Sequence, residues 1–114
     1  MPTQDHVVII GFGRVGQRVA ILLQRFKQKL VAISSTATES DITLQITLVM
    51  GSIIKSLGKV NLPTAKGVIA VTNDEMLNLE VALMAYAANP NIRLVIRTYE
   101  QRFNDNLAKL LPNN

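Results

Sequence analysis

Short apolar runs alternate with amphipathic stretches along almost the whole chain. Residues His6 to Ile10 (HVVII) are continuously apolar and end at Gly11, the pattern of a strand buried on both faces. From Arg14 to Phe26 the apolar residues Val15, Val19, Leu22, Leu23 and Phe26 recur at helical spacing, which predicts an amphipathic helix. Leu30 to Ser34 reads as a second strand, Thr47 to Gly51 as a third and Gly67 to Thr72 (GVIAVT) as a fourth, with a short helix over about Ile53 to Val60 between the last two. Asn73 to Ala88 is the longest helical stretch, and Pro90 bars its continuation. Ile92 to Thr98 (IRLVIRT) predicts a fifth strand, and a last helix from about Glu100 carries Phe103, Leu107, Leu110 and Leu111 on one face. Between Ser35 and Ile46 (STATESDITLQI) the pattern is weak: Asp41 is placed to cap a helix, while Ile42, Leu44 and Ile46 alternate as in a strand. A short or irregular helix is expected there.

Strands that alternate with helices at this spacing imply right-handed crossovers and a parallel sheet covered on both faces. The expected fold class is α/β, a doubly wound sheet with strand order 3-2-1-4-5. A length of 114 residues with 48% hydrophobic content suits one domain over residues 1–114. No run of about 18 apolar residues could span a bilayer, so the chain is expected to be cytoplasmic. With no cysteine, disulfides, thiolate metal sites and cysteine nucleophiles are excluded.

The net charge of +4 raises nucleic acid as a partner. Its positions argue against one. Arg14, Arg18, Arg25, Lys27 and Lys29 follow a glycine motif and the other cations are scattered, while three Phe, two Tyr and no Trp give no platform for stacking bases. A phosphate site with a solvated basic face is the better reading.

The glycine motif carries the chemistry. Gly11-Phe12-Gly13-Arg14-Val15-Gly16 is a GxGxxG between a predicted strand and a predicted helix, the context in which that weak motif marks a Rossmann-like dinucleotide site. Gly11 makes the tight turn, Gly13 lets the backbone approach a pyrophosphate, and Gly16 brings the helix close to the strand. The amides and dipole at the start of the helix favour an anion. Arg14 opposes that dipole, so a phosphate partner explains its place. At the end of the second strand, where an acid usually accepts from the adenosine ribose, stand Ser34 and Ser35. Hydroxyls can bond a ribose, but without charge the bond has roughly half the strength. No cation follows to hold a 2′-phosphate.

The loop GFGRVGQRVA (Gly11 to Ala20), the pair Asn61-Leu62 and the segment VTNDEMLNLEVALMAYAANPNIRLVIRT (Val71 to Thr98) together resemble the RCK, or TrkA-N, domain over nearly the whole chain. The resemblance implies a regulatory domain of a potassium channel or of a Trk- or Ktr-type potassium transporter. Such domains bind NAD(H), ATP or ADP at the strand ends, and paired domains move on ligand exchange. By position, Gly11, Gly13, Arg14 and Gly16, with Phe12 and Val15 between them, would hold phosphates, and Ser34 and Ser35 would face the ribose. Thr72 and Asn73 would lie beside the phosphates or a second ribose, and Gly51 and Ser52 near the adenine. A homodimer or larger ring beside a membrane transport subunit is also implied. Two departures bear on affinity: Ser34 and Ser52 stand where the family usually has acids. They leave open a loosely bound nucleotide, a different adenine nucleotide, or a purely structural domain. The family's sixth strand and crossover helix are not in this chain, so a longer protein is expected.

Catalysis has little to stand on, and neither catalytic nor metal-ligating residues are expected. There is a single histidine, His6, read as a strand-edge residue with only Asp5 beside it, and no carboxylate pair is placed for acid–base work. Asp74, Glu75 and Glu80 read as residues that start a helix. The alternatives are the cofactor domain of an NAD-dependent oxidoreductase without its catalytic domain, or an assembly module that binds no nucleotide. In the long helix Leu77, Val81, Met84, Ala85 and Ala88 form the stripe expected to face the sheet. Leu79, Ala82, Leu83, Tyr86 and Ala87 remain as a second apolar surface, broken mainly by Asn78 and Glu80, and are expected to serve self-association, the alternative being that a C-terminal segment of the intact protein covers them.

Overall fold

A computed structural model of the chain describes residues 1–35 and 46–98. The weak segment at 36–45, with Asp41, Ile42 and Leu44, lies outside them, as does the expected last helix with Phe103, Leu107, Leu110 and Leu111. Five strands, β1 (Val7–Ile10), β2 (Leu30–Ser34), β3 (Thr47–Met50), β4 (Gly67–Ala70) and β5 (Arg93–Ile96), form one parallel sheet in the order β3-β2-β1-β4-β5. This is the expected order. The central strand β1 is flanked on both sides, Val8 pairing with Val31 of β2 and Val68 of β4, so its side chains are buried on both faces. That geometry requires the unbroken apolar run, and each buried Val or Ile adds about 1.5–3 kcal/mol.

The helices divide between the two faces. Val8, Ile10, Val31, Ile33 and Val68 pack with residues of α2 (Ile53–Ser56), the short helical turns after it and α3 (Glu75–Ala88). Val7, Ile9, Leu30 and Ala32 face α1 (Arg14–Arg25), which contributes Ala20 with Val19 and Leu23. The short helix expected over Ile53 to Val60 is one α-turn continued as a 3-10 turn, Leu57–Lys59.

Two stripes read from the sequence are rotated in the structure. In α1 the buried positions are Gly16 and Ala20, with Val19 and Leu23 partly covered, while Val15, Leu22 and Phe26 are exposed, Phe26 to 74%. In α3 the buried positions are Asn78, Val81, Ala82 and Ala85, so Ala82 and Asn78, expected on the second apolar surface, face the sheet instead. Met84 and Ala88 do not join the sheet-facing stripe, since both are exposed. Small residues win these contacts because they let a helix axis approach the sheet. His6 likewise is no exposed strand-edge residue. It is fully buried, and its Nε2–H donates to the carbonyl of Val60 at 2.7 Å, tying the start of β1 to the turn before β4.

The end of α1 offers a stability test. Lys27 donates to the carbonyl of Gln24 and Gln28 to that of Leu23, a Schellman closure that places Lys27 in the left-handed region at φ 58°. A non-glycine residue there costs about 1–2 kcal/mol, and glycine loses about 0.5–1 kcal/mol of that gain through its freer unfolded chain. Lys27→Gly is therefore expected to stabilise the domain by about 0.5–1 kcal/mol, read as a higher urea midpoint. An unchanged or lower midpoint would contradict it.

Candidate functional site

The carboxyl ends of the strands open onto a crevice of about 560 Å³. It lies where the order reverses, with β2 and β4 on opposite sides of β1, the place where open α/β sheets hold ligands. Nine of the residues expected there do line it: Gly11, Phe12, Gly13, Arg14 and Val15 from the glycine loop, Ser34 and Ser35 from the end of β2, and Thr72 and Asn73 after β4.

The three glycines behave differently. Gly11 has φ +91°, a left-handed turn off the end of β1, and a Cβ there would fall 2.9 Å from Thr72 Cγ2. Gly16 does not line the crevice, and a Cβ on it would sit 2.1 Å from the carbonyl oxygen of Gly11, so its role is to let α1 lie against the turn. Gly13 caps α1 in an extended conformation, with no side-chain cap. Among the described residues, a Cβ on Gly13 would meet no atom beyond its chain neighbours within 4 Å. The protein's own packing therefore does not call for glycine here, whereas a phosphate reaching the first amides of α1 would.

Phe12 touches the crevice but is only 2% exposed and packs with Ile9 and Ala20 on the α1 face. It is a core residue of the loop, and the carbonyl of Phe12 accepts from Gln17 Nε2 at 3.0 Å, bracing the turn. Arg14 is exposed at the crevice margin. Ser34 is 4% exposed, and its carbonyl accepts from Gly51 N at 3.0 Å. Gly51, at φ +127°, and Ser52, which precedes α2, do not line the crevice. The β3 side of the wall is supplied by Ile53 instead.

Beyond Thr72 and Asn73, the β4–β5 side of the wall includes Val71, Asp74, Leu77 and Arg97, none of which the sequence had singled out as a site residue. Asp74 caps α3, its Oδ1 accepting from Leu77 N at 3.1 Å, which bears out its reading as a helix starter. Arg97 donates from Nη1 to Asn73 Oδ1 at 3.2 Å. Its place was readable in principle, because it follows the last residue of a strand whose carboxyl end must face the crevice. Among the described residues no three His, Asp or Glu side chains are grouped as a metal site would need, and no helix is long and apolar enough to cross a membrane.

The family model for the TrkA-N domain matches residues 7–112. Potassium channel protein 1 of Methanocaldococcus jannaschii is 29% identical over 111 residues, which are 92% of this chain and 33% of that protein. An uncharacterized protein of Methanothermus fervidus is 29% identical over 113 residues, 94% of this chain and 17% of that protein. The chain thus spans a third or less of the length of these relatives. Among solved structures, the AMP-bound Kef CTD of Shewanella denitrificans superposes with a TM-score of 0.79 at 20% identity, over 93% of this chain and 66% of that one. The TrkA-N domain of the inner membrane protein ybaL of Escherichia coli gives 0.73 at 20% identity, over 97% of this chain and 99% of that one. At this identity the two structures bear out the fold.

Proposed function

The chain belongs to the TrkA-N domain family, and from that premise we propose that it is a nucleotide-binding regulatory domain of a potassium channel or transporter, without catalytic activity of its own. The observation that carries the reading is the place of the glycine loop in the crevice lining, where Gly13 caps the amino end of α1 with no packing contact among the described residues that requires a glycine. A glycine at this point lets a pyrophosphate approach the loop amides closely. An adenine nucleotide, NAD(H) or ATP/ADP, would lay its phosphates across Gly13 and Arg14 and its ribose towards the Ser34 hydroxyl. The potassium channel protein and the AMP-bound Kef domain among the similar proteins support the same reading.

Ser34 has no charge to offer a ribose, so the phosphates carry a larger share of the affinity than in a site with a carboxylate at that position. Ser52 lies outside the crevice lining and does not weaken it further. A thermal-shift series with NAD, NADH, ATP, ADP and AMP tests the reading, since a ligand at 100 times its dissociation constant adds about 2.7 kcal/mol. At least one adenine nucleotide should raise the midpoint. If none does at millimolar concentration, the domain is an assembly module.

The domain would act as a homodimer or larger ring attached to its membrane transport partner, and the outer face of α3 is the surface for the contact between copies. Met76, Leu79, Leu83 and Tyr86 follow one another at spacings of 3, 4 and 3 along it. Met76 is 66% and Leu83 44% exposed. Glu80 and Ala87 lie on the same exposed side. An apolar stripe opposite the sheet-facing one has no use in a monomer. Leu83→Glu places a charge in its middle and is expected to convert a dimer to a monomer in sedimentation while nucleotide affinity stays within about twofold. A wild-type chain that stays monomeric at high concentration would refute the interface.

A further inference from the structure

Asn78 stands one turn into α3, on the face that carries Val81, Ala82 and Ala85, and it is fully buried. Its side-chain amide fills four hydrogen bonds, all to the segments that follow β4 and β5. Oδ1 accepts from the Thr72 amide at 3.1 Å and from the Thr72 hydroxyl at 2.6 Å. Nδ2 donates to the Thr72 carbonyl at 3.1 Å and to the Arg97 carbonyl at 3.0 Å. The ladder between these strands closes with Arg97 N donating to the Ala70 carbonyl, and the amide of Asn78 continues it where the strands separate.

What the clasp holds is a wall of the crevice. Thr72, Asn73 and Arg97 all line it, and the Arg97 guanidinium is joined to Asn73 Oδ1. Of the described residues in the lining, Arg14 and Arg97 are the only cations, and the one carboxylate, Asp74, caps α3. The two guanidinium groups reach the crevice from different elements, Arg14 from the start of α1 and Arg97 from the end of β5. The diphosphate carries about −2 within NAD, one charge on each diester phosphate, and about −3 in free ADP, whose terminal phosphate has a second pKa of about 6, and one arginine balances neither.

Resting on the nucleotide reading of this crevice, we propose that Arg97 binds the diphosphate of the ligand from the β5 side and that Asn78 is the positioning residue that sets Arg97 there. The ligand class is a nucleotide with an adenosine diphosphate moiety, whether free ADP or the corresponding half of NAD. AMP, with a single phosphate, engages Arg97 weakly.

The test is isothermal titration of the whole chain with ADP, NAD and AMP, in wild type, Arg97→Ala, Asn78→Ala and the double variant. Arg97→Ala should weaken ADP and NAD about tenfold, the scale of one charge-assisted hydrogen bond, and AMP by less than about threefold. Asn78→Ala should reproduce that selectivity. The double variant should bind ADP within about threefold of Arg97→Ala alone, because residues acting through one another are not additive. A purely structural Asn78 would lower the unfolding midpoint without this coupling. Equal losses for ADP and AMP, additive losses, or an unchanged Arg97→Ala would overturn the proposal. Should Asn78→Ala not fold, Asn78→Ser takes its place, and failure of both to fold would assign Asn78 to structure alone and overturn its positioning role. A wild type that binds none of the three nucleotides refutes the nucleotide reading itself, whereas a binding wild type matched by Arg97→Ala refutes only this inference.

Discussion

Gly13→Val is expected to abolish adenine-nucleotide binding, by at least about a hundredfold, while leaving the domain folded, and the two halves of that outcome have separate physical causes. Binding is expected to be lost because, in the proposed site, a pyrophosphate comes within hydrogen-bond reach of the loop amides beside Gly13, and a valine side chain at this crevice-lining position obstructs that approach. The fold survives because, among the described residues, no non-neighbouring atom lies within 4 Å of a Cβ at this position and the residue has a negative φ, −79°, in an extended conformation that does not demand glycine. Replacing glycine by valine at an N-cap without a side-chain bond costs about 1 kcal/mol, a shift of a few degrees in Tm for a domain of this size. Titration calorimetry with the nucleotide that stabilises the wild type reads the first half, and circular dichroism the second. Equal affinity in the two proteins would remove the glycine loop as the binding site. A variant that fails to fold would instead make Gly13 a packing residue.

The strand framework was legible because β1, β2 and β4 sit inside a covered parallel sheet and must be apolar at every position, leaving one solution for runs such as HVVII and GVIAVT. The helices were legible as elements but not as orientations. In α3 nearly every position is apolar or small, so the stripe through Leu77, Val81 and Met84 and the stripe through Val81, Ala82 and Ala85 are both periodic. The choice between them depends on how closely the axis approaches the sheet. Ala82 and Ala85 permit the approach, and Asn78 is accepted on the same face because the ends of β4 and β5 satisfy its amide. A polar residue on the buried face looks like an interruption until its partners, six and nineteen residues away, are known. Nine of the twelve residues expected at the site line the crevice. Gly51 and Ser52 do not, because the chain turns into α2 after β3 and presents Ile53 instead. Arg97 was passed over because the pattern carried the fifth strand on to Thr98 and left Arg97 among scattered cations, whereas the strand ends at Ile96 and sets Arg97 at the crevice.

The third glycine of the motif should respond in the opposite way to the second. A Cβ at Gly16 would lie 2.1 Å from the Gly11 carbonyl oxygen, 3.1 Å from its carbon and 3.6 Å from Ile9 Cγ2. The first two are backbone atoms of the turn that ends β1, so no side-chain rotation relieves the overlap. Gly16 is buried on the face of α1 that covers the sheet, and the helix would have to move outwards and uncover Ala20 and its neighbours Val19 and Leu23. Alanine gains about 1 kcal/mol over glycine in a helix interior, but forced overpacking of this kind costs about 3 kcal/mol or more, so the overlap wins. Gly16→Ala is therefore expected to lose at least about 2 kcal/mol of a total that for domains of this size is about 5–15 kcal/mol, measured as a lower urea midpoint. Gly58 provides the control: among the described residues a Cβ there meets nothing within 4 Å, so Gly58→Ala should stay within about 0.5 kcal/mol of the wild type. Nucleotide affinity of the folded Gly16→Ala fraction is expected to fall as well, since the displaced α1 carries the amides of the proposed phosphate site with it. A midpoint for Gly16→Ala equal to that of Gly58→Ala would show that α1 does not rest on the Gly11 turn, and the placing of the loop beneath the crevice would have to be abandoned.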